Sequence, residues 1–300
     1  MVSTNYIQLL ATYIDALHIL HHHGVLDGYG HLSVRNPNNP STFFMSHRDL
    51  APALVSGLDD IGEYRVSDAE PVGPDTPPTY LERFIHSEIY QMYSEVDVVL
   101  HGHAEELVSF SVSVVPLRPV VAQAAFFGDR VPVFDISRYY LPNETHTLLV
   151  DDARLGAAMA REFSSSSPSS PAQSEREPPS ARALPSYPAH NLVLMQCHGF
   201  TTVATDLKIA TFQGVYAVVG ARVQARALQI QHAYTGGAAG TAFSGGDGGL
   251  SAEGLEYLTP RQVRDSMAVA EQTVERPWGL WVREVRASPV YVNEIGGEEV

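Results

Sequence analysis

The run Val96-Asp97-Val98-Val99-Leu100-His101-Gly102-His103 is β-branched and apolar, and it ends in two histidines two residues apart. On an extended chain the side chains alternate between faces, so His101 and His103 point the same way. Neutral imidazole is the commonest protein metal ligand, and a catalytic zinc takes three protein ligands and keeps one position open. A His-x-His alone is equally compatible with incidental histidines, so the reading turns on a third ligand and a nearby acid. Asn191 to Cys197 is a second buried-strand pattern, and it too runs into His-Gly, at His198-Gly199. Two strands that end in His-Gly, far apart in sequence, bring three imidazoles to one site. Glu82 opens a helical pattern that leads straight into the His101 strand. A carboxylate beside a metal acts as ligand, base or acid. Taken alone, a Glu in a first helical turn is a surface residue that stabilises the helix dipole.

The elements that must position these groups follow from periodicity. Tyr6, Leu9, Leu10, Tyr13, Ile14, Leu17 and Leu20 repeat at helical spacing, and Gly24 closes that helix. His21, His22 and His23 resemble a metal tract, but consecutive helical residues fan around the axis and do not converge. After Gly28-Tyr-Gly, Leu32 and Val34 alternate with His31, Ser33 and Arg35, and a turn leads on to a hairpin partner at Phe43–Ser46. The polar face of that strand is either solvated or lines an anion pocket. Glu63–Val66, Val131–Ile136 and Thr147–Val150 read as strands. Leu81, Phe84, Ile85, Ile89 and Met92 mark a helix stripe, with Glu82 and His86 one turn apart. Helices are expected over Ala104–Val112, Asp152–Phe163, from a cap at Thr205 or Asp206 to about Tyr234, and over Thr259–Val274, with Pro277–Trp281 as an apolar tail segment. Residues 164–188 are almost entirely Ser, Pro, Ala, Glu and Arg. Such a composition cannot offset its ordering entropy, so a disordered insertion is expected within a single domain spanning 1–300, and residues 236–300 form a C-terminal extension opened by a Gly-rich loop.

Composition narrows the function. The net charge is -15, with 34 acids against 19 bases, which argues against nucleic acid or an anionic membrane as partner. One cysteine, Cys197, permits no intrachain disulfide, and a cytoplasmic protein is the simpler expectation. Lys208 is the only lysine, so Schiff-base chemistry would need it.

The ordered set Gly30-His-Leu-Ser-Val-Arg35, Glu82-Arg-Phe-Ile-His86-Ser-Glu-Ile-Tyr90, His101-Gly-His103 and His198-Gly199 resembles the class II aldolase/adducin family. It looks most like the decarboxylase branch, which acts on hydroxy-methylpyridine-dicarboxylate and dihydroxyphthalate. The resemblance implies a three-layer α/β/α sandwich around a largely antiparallel sheet, and a homotetramer with interfacial active sites. It also implies His101, His103 and His198 as ligands of a divalent metal (zinc first, manganese next) and Glu82 as the acid/base. His31, Ser33, Arg35, Arg118 and Gln123 would meet a small-molecule carboxylate substrate. The stretches Phe44–Arg48 and Pro78–Glu82 lack the Ser/Thr-rich segments with which the sugar-phosphate members hold phosphate, which speaks against a phosphorylated sugar. The expected activity is a carbon–carbon lyase that decarboxylates a hydroxy-aromatic or β-keto acid through a metal-stabilised enolate. The alternatives are retro-aldol cleavage of a non-phosphorylated carbonyl compound and a non-catalytic adducin-like binding module.

Overall fold

Five-residue apolar strands dominate the centre because both of their faces are buried. In the computed structural model, which describes residues 4–74, 76, 79–164, 186–235 and 254–296, β1 (His31–Arg35), β2 (Thr42–Ser46), β3 (Ile61–Arg65), β4 (Val98–Gly102), β5 (Val133–Phe134), β6 (Leu192–Met195) and β7 (Gly199–Ala204) form one sheet. Its order is β3-β2-β1-β4-β7-β6-β5. Every pairing is antiparallel except β5 with β6. The period of two is visible in the packing. Leu32, Val98, Leu100, Leu194 and Phe200 face one core layer, and Phe43, Val99, Val193 and Val203 face the other.

The first layer is closed by α1 (Thr4–His22), α3 (Glu105–Ser111), α5 (Leu207–Tyr234) and α7 (Glu275–Arg286), and the second by α2 (Arg83–Met92) and α4 (Ala153–Arg161); α6 (Pro260–Thr273) also follows α5. The α/β/α sandwich with a mostly antiparallel sheet is therefore present. Local chemistry sets the helix ends: Asp152, Asp206 and Thr259 each accept a backbone N–H of the following turn.

Several expectations change. Pro277–Trp281 is not a tail but part of α7, where Trp278, Trp281, Val282 and Val285 recur at helical spacing and are buried. Thr147–Val150 is not a strand. Leu148 sits at φ 67, its N–H donates to Tyr140 Oη, and the Val150 N–H donates to Glu82, so no ladder can form. Val131–Ile136 shrinks to the two-residue β5. Leu81 is exposed, and the buried face of α2 includes His86, Ser87 and Tyr90 instead. Apart from Ser164 and its last three residues, the Ser/Pro insertion lies outside the described residues, as does the Gly-rich loop from Gly236. Among the described residues no helix is long and apolar enough to cross a membrane.

Candidate metal centre

The sheet register brings His31, His101 and Thr201 into one row across β1, β4 and β7. His103 follows β4, and His198 ends the turn between β6 and β7, immediately before Gly199. Glu82 sits at the N-cap position of α2 without capping it. One ligand atom each from Glu82, His101, His103 and His198 lies within 4.8 Å of the others. His101 Nε2 and His103 Nε2 are 3.0 Å apart. Two nitrogens each about 2.0–2.1 Å from a tetrahedral zinc stand about 3.3 Å apart, so this spacing fits a shared ion. Glu82 Oε2 is 3.6 Å from His101 Nε2 and 3.4 Å from His198 Nε2.

The glycines are there for close approach. A Cβ on Gly102 would meet the Val25 carbonyl at 2.5 Å, and one on Gly199 would overlap the Gly102 carbonyl and touch His103 Cδ2 at 3.0 Å. The repeated His-Gly is thus the packing of two backbones that carry ligands, which answers why the motif occurs twice.

Groups around the histidines orient their lone pairs. Asp27 Oδ1 accepts from the N–H groups of Tyr29 (2.9 Å) and Gly30 (2.8 Å) and lies 3.1 Å from His103 Nδ1. Burial opposes the charge on Asp27, but these three donors outweigh it and lower its pKa. His103 therefore donates from Nδ1 and keeps the Nε2 lone pair for a metal. His101 Nδ1 lies 3.3 Å from Thr201 Oγ1, whose own proton is directed to Met195 Sδ at 3.5 Å, so His101 too is left with Nε2 free. Burial, then the neighbouring imidazoles, pushes the His101 pKa well below its ordinary value and keeps the ring neutral, as ligation needs. His198 is raised instead: burial opposes its charge, but the Glu82 carboxylate and the Leu148 carbonyl outweigh burial. Glu82 is itself fixed by the Val150 N–H, which donates to Oε1 at 3.0 Å. Three imidazoles, two of them oriented by Asp27 and Thr201, and one carboxylate fit a divalent cation.

A carboxylate hydrogen-bonded to a ligating histidine is worth about 10–100-fold in metal affinity. Asp27→Ala should therefore weaken zinc binding by about that factor in a chelator competition titration. Asp27→Asn, which keeps an oxygen acceptor, should lose less. Equal affinities for all three proteins would remove Asp27 from the site.

The remaining candidates separate. His31 and Ser33 are buried beside the cluster, with the His31 ring 4.9 Å from that of His101. The polar face of β1 is thus not solvated, because His86 of α2 packs onto it. Arg35 is not available to a substrate. Its Nε donates to Val96 O (2.9 Å), Nη1 to Pro40 O (2.8 Å), and Nη2 to Tyr90 O and Tyr93 O (both 3.0 Å). It braces loops at the far end of the strand. Arg118 is held by Asp129 through Nε (3.0 Å, backbone) and Nη2 (3.2 Å) and lies over the Tyr257 ring. Gln123 lines a cavity with Asn191 and Thr205, at the opposite end of β6 and β7 from His198. Within one chain neither residue reaches the metal centre. Lys208 pairs with Glu275 at 2.8 Å in the first turn of α5, beyond the end of β7 opposite His198, so it lies away from the histidine cluster. His21 and His23 point to different partners, Tyr291 and Glu284, as a fanned helix end should. Sequence reading missed Asp27, hidden in an Asp-Gly turn, and gave His86 no role beyond its place one turn from Glu82. His86 is fully buried between His31 (2.7 Å) and Ser33 (2.6 Å), and burial pushes its pKa down to about 3.

These depressed histidines carry a stability consequence. His86, His31 and His101 take up protons in the unfolded chain below about pH 6.5 but stay neutral when folded, so the unfolded state binds more protons. Stability of metal-free protein should fall as pH drops from 7 to 5, by up to about 1.4 kcal/mol per pH unit for each such group below its unfolded pKa. His198, shifted the other way, offsets part of this. Denaturant midpoints of chelator-treated protein at the two pH values test it; a midpoint that rises on acidification contradicts the assignment.

Comparison with known proteins agrees with the geometry. The family description Class II Aldolase and Adducin N-terminal domain matches residues 11–225. The decarboxylase tropJ of Talaromyces stipitatus is 40% identical over 282 residues, which cover 94% of this chain and 96% of that protein. Among solved structures, an aldolase II superfamily protein from Pseudomonas syringae superposes with a TM-score of 0.67 at 16% identity, covering 97% of this chain and 96% of the other. The L-fuculose 1-phosphate aldolase of Glaciozyma antarctica gives 0.61 at 17% identity, covering 98% and 96%. At such identities the structural matches speak for the fold, and the family match and the 40% relative carry the assignment. The chain belongs to the class II aldolase and adducin family and is a lyase of that family.

Proposed function

We propose that the protein is a divalent-metal-dependent decarboxylase of a carboxylic acid that carries a hydroxyl or carbonyl oxygen close to the carboxylate, as hydroxy-aromatic and β-keto acids do. The observation that carries this reading is the placement of Glu82, with Oε1 anchored on the Val150 N–H and Oε2 beside His101 and His198. The 40% identity to a protein named as a decarboxylase favours loss of carbon dioxide over loss of an aldehyde. His101, His103 and His198 would hold the ion, zinc or manganese, and Glu82 would complete or leave its shell. When bound, such an ion supplies Lewis-acid stabilisation of the negative charge that develops on the substrate oxygen. Glu82 Oε2 delivers the proton that replaces the departing carboxylate on carbon. Because Oε1 is fixed, that proton moves from a defined position, the condition under which general acid/base help reaches about 10²–10⁴-fold. Tyr80, its ring 4.7 Å from that of His31, helps wall the site against water. A cytoplasmic homotetramer with interfacial sites belongs to this reading and is supported by the family resemblance.

The test is release of carbon dioxide from a panel of hydroxy-aromatic and β-keto acids by zinc- or manganese-loaded protein, with aldehyde release measured in parallel. Metal-dependent carbon dioxide release is the expected result. Aldehyde release alone would establish retro-aldol cleavage instead, and no turnover on either panel would favour the binding-module alternative.

A further inference from the structure

A chain of short hydrogen bonds runs from α2 into the metal centre through residues with no role in holding an ion. Tyr90 Oη lies 2.7 Å from Ser33 Oγ, Ser33 Oγ lies 2.6 Å from His86 Nδ1, and His86 Nε2 lies 2.7 Å from His31 Nδ1. All four residues are at most 2% exposed. The direction of the protons follows from the distances. If the chain ran outward, with His31 donating to His86, His86 to Ser33 and Ser33 to Tyr90, the Tyr90 proton could go only to the Asp97 carbonyl. That contact is 3.4 Å, too long for a good O–H···O bond, and the same carbonyl already accepts from the Arg35 N–H at 2.7 Å. Run inward, every bond is short: Tyr90 donates to Ser33, Ser33 to His86 Nδ1, and His86 Nε2–H to His31 Nδ1.

We infer that His86 is a positioning residue which, together with Ser33 and Tyr90, fixes His31 in its Nε2–H tautomer, so that His31 presents a donor to a substrate oxygen and cannot serve as a further metal ligand. The assignment divides the histidines of the site by chemistry: His101 and His103 keep Nε2 lone pairs for a cation, and His31 keeps a proton for an anion. Among the described residues His31 Nε2 makes no hydrogen bond, consistent with a donor held for a ligand. The inference deepens the proposed decarboxylase reading and rests on it for the identity of the acceptor.

Two isosteric substitutions separate the polarities. In His86→Gln the amide N–H still donates to His31 Nδ1 and the amide oxygen still accepts from Ser33. In His86→Glu the carboxylate only accepts, which forces the His31 proton onto Nδ1. Two-bond proton–nitrogen correlations on protein labelled at histidine nitrogen, metal-free and zinc-loaded, read the tautomer directly. Oxalate, a metal chelator with oxygens free to accept, serves as the binding probe. The expected result is a proton on His31 Nε2 in wild type and His86→Gln. Oxalate affinity of the zinc form should be within about threefold of wild type for His86→Gln and about 10–100-fold weaker for His86→Glu, the range of one charge-assisted hydrogen bond. A proton on Nδ1 in the wild type, or equal oxalate affinity for the Gln and Glu variants, would overturn the inference. Failure of the wild type to bind zinc would count against the proposed function, while the tautomer of the metal-free protein would still decide the inference.

Discussion

Glu82→Gln should lower kcat by about 10²–10⁴-fold while metal stays bound and KM changes little. The amide preserves the shape and still accepts the Val150 N–H, so the loop at 147–150 keeps its anchor. What disappears is the ability of the second oxygen, 3.6 Å from His101 and 3.4 Å from His198, to carry a proton. Because the lost interaction belongs to the transition state, the deficit falls on kcat rather than on binding. Steady-state turnover measured beside metal content checks this. Near-native turnover with metal in place would mean that the proton is handled elsewhere.

His103→Ala should have an effect of comparable size by a different route. Losing a ligand removes more than losing a residue that only orients one, so metal affinity should fall by more than about 100-fold, and turnover should vanish at ordinary metal concentrations. His103 is only partly buried, and its contacts are to Asp27, His101 and the stacked ring of His198. The metal-free variant should therefore unfold within about 0.5 kcal/mol of metal-free wild type, as substitutions away from the core do. The combination, intact fold and lost metal, is the diagnostic. Unchanged metal affinity would exclude His103 from the ligand set. A collapse of metal-free stability would show that the residue is structural.

What was legible in the sequence was what local periodicity controls. The alternation of β4 put His101 and His103 on one side, and the second His-Gly marked His198. The glycines that made those motifs conspicuous are the ones that two crossing backbones require. The start of α5 was legible to within a residue, at Thr205 or Asp206, because its cap acts within its own turn. What the sequence hid depends on which element covers which. The alternation of His31, Ser33 and Arg35 shows a polar face but not that α2 lies over it, so Arg35 looked free although four backbone carbonyls occupy its donors. The role of His86 was hidden because its partners lie 53 and 55 residues away in sequence. Asp27 carries a turn signature and in fact makes that turn, while the same oxygen also orients His103. The strand expected at Thr147–Val150 failed because tertiary acceptors claimed its N–H groups.

The proposed chemistry depends first on the metal. Metal analysis of purified protein, followed by a crystal structure of the loaded form with anomalous data at the metal edge, should find one divalent ion per chain. It should be bonded to the Nε2 atoms of His101, His103 and His198, at about 2.0–2.1 Å if the ion is zinc. A stoichiometric ion held elsewhere, or a fully active protein whose three imidazoles bind no ion, would contradict it.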